Sequence, residues 1–212
     1  GRLSLSEAKD PNNFGALNRG TKSLPPALRS VPVSDLPKVE PCLEMQADHD
    51  AIEMVLDAYS PDGWHILRAR TAAVSAMMVL IEREDSKKSH DLSTHPKAAT
   101  RVFQLLGHVM QMPRIEELIA DQHPELGIDP YIPSDDEVTA FNRQVVRPAF
   151  FDALELARAA GATSITDDLE TPERFFHDIA FARVGDQSMF AQMSTVGSVQ
   201  WADLTRINKY VS

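Results

Sequence analysis

The chain has 212 residues, 43% hydrophobic and 25% charged, which are the proportions of a globular protein, and its length suits one domain or one domain with an extension. Its 31 acidic side chains outnumber 21 basic ones for a formal net charge of −10, so the chain as a whole is a poor electrostatic match to a phosphate backbone. The single cysteine, Cys42, excludes an internal disulfide and a cysteine-rich zinc site. No apolar run reaches the roughly 18–20 residues of a membrane span, and no secretory leader pattern is present. These features predict a protein of a reducing, cytoplasmic or intracellular setting, or of a virion interior, with no membrane partner.

Residues 1–41 hold six of the 14 prolines (Pro11, Pro25, Pro26, Pro32, Pro37, Pro41) and three of the nine glycines. Proline removes backbone donors and fixes φ, which predicts an extended N-terminal arm over 1–41 ahead of an all-α domain over 42–212. The formal charges divide at the same point, +2 on the arm and −12 on the remainder. An arm without its own core is ordered only by packing, on its own body or on a neighbouring subunit, and opposite charges favour either contact.

From residue 42 onward the punctuation is helical. Ser60-Pro61 starts a run through Trp64, Leu67, Ala72, Met78 and Ile81 that is apolar on several faces, which predicts a central helix capped by Ser60. His95-Pro96, Met112-Pro113 and Thr171-Pro172 mark further starts. Ser134-Asp135-Asp136-Glu137 reads as a capping box opening a helix with Val138, Phe141, Val145, Phe150 and Leu154 on one stripe. Pro148 predicts a kink in that helix and Gly161 a left-handed stop. Helices over 172–183, 187–196 and 198–211 complete a set of about eight. Strand alternation and hairpin turns are absent from the pattern, and so is any fixed repeat.

Candidate chemistry is sparse. His177-Asp178, within Phe175-Phe176-His177-Asp178-Ile179-Ala180, resembles the paired His-Asp of HD-family metal phosphohydrolases, whose fold is all-α. The resemblance implies metal ligation by the pair together with an upstream His, for which His108 and His123 are available, and a downstream Asp, for which Asp203 is. The alternative is an exposed polar pair on a short helix whose Phe side chains point inward. Glu44, Asp48, His49 and Glu53 form a second polar cluster at helical spacing. His49 and Glu53 are suited to share a metal if another element supplies a ligand, and the alternative is an acidic solvated face.

No nucleophile elbow, P-loop or dinucleotide fingerprint occurs, and no resident cofactor is expected. Arg143 and Arg147, spaced i and i+4, together with Arg68 and Arg70, are the candidates for a basic strip that would meet nucleic acid; salt bridges to the surplus carboxylates are their other destiny. The eight methionines suit adaptable packing or a pliable groove. The sequence thus points first to a structural protein that associates with other copies of itself through residues 1–41, of which a viral or phage capsid or nucleocapsid subunit is one instance. A metal-dependent phosphohydrolase using His177 and Asp178, and an RNA-binding helical module, are the alternatives.

Overall fold

The first helix of the chain, α1 (Val39–Leu56), starts before the last proline of the predicted arm. Pro41 stands in its first turn, where the missing N–H has no intrahelical acceptor in any case, and Pro37 lies within a 3-10 helix, Val33–Lys38, that leads into it. Proline content therefore does not hold residues 33–41 extended. The structure, a computed structural model, describes residues 28, 30–85, 95–184 and 187–211. Residues 1–27 and 29 of the predicted arm lie outside the described residues.

Asp57 ends α1 at φ 68°, a left-handed conformation, with its N–H on the Glu53 carbonyl. Ser60 does not cap with its side chain as expected; its backbone carbonyl accepts from Gly63 N–H at 3.0 Å across a short 3-10 turn that feeds α2 (Trp64–Asp85). Leu67, Val74, Met78 and Val79 face the core, and the buried Thr71 and Ser75 hydroxyls are satisfied by carbonyls one turn back. The opposite face is open, with Ile66, Met77, Leu80 and Ile81 exposed. The expectation that this run is the central helix is thus corrected.

The centre belongs to α3 (Ala98–Gln111), buried on nearly every side from Ala98 to Val109. Its orphan N-terminal donors are taken by side chains from far along the sequence. Lys97 N–H donates to Gln200 Oε1 and Ala98 N–H to Glu82 Oε2, each at 2.9 Å. A 3-10 turn at Met112–Arg114, containing Pro113, bends the chain into α4 (Ile115–Gln122), and Gly127 at φ 60° turns the loop that follows.

α5 (Asp135–Phe141) opens with Ser134 Oγ accepting from Glu137 N–H. The reciprocal half of the box is absent, because the Glu137 carboxylate instead accepts the hydroxyls of Tyr59 and Tyr131, each at 2.6 Å. Five π-helical residues, Asn142–Val146, carry α5 without a break into α6 (Arg147–Ala159). The predicted distortion is there: the widened turn falls just before Pro148, where an α-helical donor would be missing. Gly161 at φ 68° ends α6, and Ala162 N–H closes back on Ala157 O.

α7 (Thr163–Leu169) has no side-chain cap to announce it and was not expected. α8 (Pro172–Val184) starts at the predicted proline, Gln187–Gln192 is a 3-10 helix in place of the expected α-helix, and α9 (Val196–Val211) closes the chain. With residues 135–159 counted as one helix with a π-helical turn, the described residues form an all-α fold of eight helices without strands.

Two apolar clusters hold it. The larger joins the C-terminal end of α1 to α2, α3, α5, α6, α7 and α8, with Phe175 meeting Phe103 edge-on and Phe150 at a tilt. The smaller packs Leu28 and Val31 on Val39, Cys42 and Met45 of α1 and on Leu204 and Ile207 of α9, so residues 28 and 31 dock on their own chain. Trp201 packs against both clusters. Among the described residues no helix is long and apolar enough to cross a membrane.

Candidate functional site

Successive helical residues lie about 100° apart, so the polar cluster of α1 cannot all point one way. The structure splits it. Glu44 and Asp48 turn toward Arg101 of α3, whose side chain is only 8% exposed. Its guanidinium donates to Glu44 Oε2 and Asp48 Oδ1 at 2.9 Å each, and its Nε to the Pro96 carbonyl at 3.3 Å. Glu44 also meets His95 Nδ1 at 2.6 Å. Burial raises the Asp48 carboxyl above its ordinary value, with Arg101 opposing and Glu44 adding to the rise. This is a clamp between α1 and α3, in which one guanidinium bridges two carboxylates.

His49 and Glu53 turn instead toward His108 of α3. His49 Nε2 lies 3.4 Å from Glu53 Oε1, and the two imidazoles meet edge to face with centroids 5.3 Å apart. One ligand-type atom from each of the three residues lies within 4.8 Å of the other two. Burial lowers His108 below the ordinary imidazole value, His49 lowers it further, and Glu53 opposes. The second element that the His49–Glu53 spacing required is therefore α3. His108 stood in the sequence reading only as an upstream partner for His177.

The His177-Asp178 pair is divided by the fold. His177 is exposed and packs edge-on to Phe181, while Asp178 is fully buried beside Phe175 and Ile179. Asp178 Oδ2 accepts from Ser194 N–H, Thr195 N–H, Thr195 Oγ1 and Ser198 Oγ at 2.6–3.0 Å, all at the start of α9. Burial alone would raise its pKa; these four donors outweigh it and hold the carboxyl below the ordinary range. His108 sits beside His49, His123 against Glu125, and Asp203 against Lys38 and Arg206. The ligand set implied by the HD resemblance is thus scattered over four places, and Asp178 is not the exposed residue of the alternative reading either.

The four candidate arginines have different partners. Arg68 is held in a two-pronged pair by Asp152, both contacts at 2.9 Å, and Arg70 donates to the Leu56 carbonyl beside Asp57. Arg147 lies over the Phe176 ring, and Arg143 is exposed on the π-helical turn. Cys42 is fully buried with its Sγ on Leu204 O, and burial pushes the thiol up to about 11, which removes its nucleophilicity.

One surface that the sequence reading missed is the open face of α2. Ile66, Ala69, Ala73, Ala76 and Leu80 recur at alternating intervals of three and four, the spacing of a coiled-coil seam. Met77 lies beside this line, and Ile66, Met77 and Leu80 are each about half exposed (48–53%). Along a helix the line runs about 21 Å. The spacing was readable, but a helix apolar all round reads as buried, and the exposed side was legible only once its neighbours were placed. Comparison with known proteins gives no match to this chain among protein-family models, curated proteins or solved structures.

Proposed function

We propose that the chain is a structural, self-associating subunit: an all-α body that joins other copies of itself through the open face of α2, with the arm as a second link. A capsid- or nucleocapsid-type assembly is one instance. The observation that supports this reading is the apolar line from Ile66 to Leu80. It is bulky at both ends and small at Ala69, Ala73 and Ala76 between them. That pattern is nearly symmetric about Ala73. An antiparallel twofold pairing sets Ile66 of one copy against Leu80 of the other while the alanines let the helices approach, so a second copy is the occupant whose shape the face already matches. Asp178 and Arg68 are committed within the chain, which leaves the phosphohydrolase and RNA-binding readings without a comparable convergence.

The test is light scattering on the full chain, on Ala73→Glu, and on a chain lacking residues 1–27. That truncation keeps Leu28 and Val31 in the core, which removal of the first 40 residues would not. The expected results are a mass of two or more copies for the unaltered chain, and a lower mass for Ala73→Glu with unchanged helical circular dichroism. A monomeric unaltered chain, or an Ala73→Glu mass equal to the parent, overturns the reading; an unchanged mass for the truncated chain removes the arm from it.

A further inference from the structure

We propose that His49, Glu53 and His108 form a binding site for one divalent transition-metal ion of the zinc class. This site is independent of the α2 face and goes beyond the assembly reading. Its ligands come from two helices, α1 and α3, that the Arg101 clamp holds together, so the frame is rigid before any ion arrives. In a tetrahedral zinc site with bonds of about 2.0–2.1 Å, neighbouring donor atoms stand about 3.3 Å apart. The His49–Glu53 edge is 3.4 Å, already that length. The third donor, within 4.8 Å of the others, closes the remaining roughly 1.5 Å by side-chain rotation.

The donor chemistry selects the ion. Two imidazoles and one carboxylate suit Zn2+, Co2+ or Ni2+, whereas Mg2+ and Ca2+ prefer all-oxygen shells. The surroundings favour a cation: α1 carries Glu40, Glu44, Asp48, Asp50 and Glu53 and no lysine or arginine, and Arg101 is already matched by Glu44 and Asp48. Access is open, because the His49 and Glu53 side chains are 45% and 56% exposed. Three protein ligands leave a fourth position toward solvent for water.

The experiment titrates ZnCl2 into the chelator-treated full chain by calorimetry at neutral pH. CoCl2 is then used to read coordination geometry from the visible absorption of the ion. The variants are His49→Ala, Glu53→Gln and His108→Ala. His123→Ala is the control, since His123 also pairs with a carboxylate, Glu125, but lies outside the three-residue cluster. One equivalent of Zn2+ is expected, with a tetrahedral Co2+ spectrum. Affinity should fall roughly tenfold or more in each of the three variants and stay unchanged in His123→Ala. His49 and Glu53 are surface residues, so their variants decide the matter even if His108→Ala fails to fold. Absence of binding to the unaltered chain, or affinity retained in His49→Ala and Glu53→Gln, overturns the proposal.

Discussion

Asp178 is a charge buried at a junction, where its Oδ2 takes all of the hydrogen bonds and its Oδ1 is buried without a partner. Its helix, α8, places Phe175, Asp178 and Ile179 on one face, so the carboxylate enters the protein with the apolar side chains and meets the N-terminal donors of α9. Ser198 and Thr195 complete the set, and an anion at a helix N-terminus gains from the helix dipole as well. Because its folded pKa lies below the ordinary carboxylate value, its contribution to stability is present above that value and is lost as pH falls through the folded pKa. Asp178→Asn should therefore cost about 2–3 kcal/mol at neutral pH and progressively less in acid. Urea denaturation of both proteins at neutral and acidic pH checks it, and an equal loss at both pH values would show that the charge is not the cause. The sequence marks Asp178 as chemically notable for the wrong reason. The spacing to Phe175 and Ile179 was visible, but the donors of α9 lie 16–20 residues further on, and only the fold brings them in.

At the scale of elements, α9 meets α3 backbone to backbone at Gly197. A Cβ added at Gly197 would stand 2.5 Å from Ala99 O and 2.8 Å from Ala99 C, both backbone atoms that cannot swing aside. Beside this contact Gln200 accepts from Lys97 N–H and Thr100 Oγ1, so the same crossing caps α3. Gly197→Ala should lower stability by roughly 1–3 kcal/mol despite alanine's better helix propensity. Gly107→Ala, in the interior of α3 with nothing within 4 Å of the added carbon, should raise it by about 0.5–1 kcal/mol. Thermal unfolding of the two variants checks both signs, and a stabilised Gly197→Ala would refute the close approach. Helix starts at Pro172 and at Ser134 and the stop at Gly161 were legible because each is a local signal. α7 was not, since its entry residue Ala162 offers no cap, and Glu137 left its box for two tyrosines, of which Tyr59 is near only in space. The metal candidate divides likewise: the His49–Glu53 pair is a helical interval, while His108 is a tertiary fact.

At the scale of the whole molecule, the described residues hold two apolar clusters, and their sharing of helices decides whether they melt as one. α1 runs through both, giving Val39, Cys42 and Met45 to the smaller and Ile52 and Leu56 to the larger. α9 gives Leu204 and Ile207 to the smaller, while its Trp201 reaches Phe103 in the larger and Phe190 on the 3-10 turn. Neither cluster can be exposed without stripping a helix that the other needs, and the Asp178 and Arg101 junctions tie the same helices again. A single cooperative transition is therefore expected. The chain has two tryptophans, Trp64 in the larger cluster and Trp201 between the two, so Trp64→Phe leaves an indole that reports on the boundary alone. In a urea titration of that variant, fluorescence and far-ultraviolet circular dichroism should share one midpoint. An earlier fluorescence midpoint would mean that the cluster holding Leu28, Val31 and the end of α9 opens first. Leu28 and residues 30–38 would then belong to a detachable strap, free to dock on another copy in the assembly proposed above.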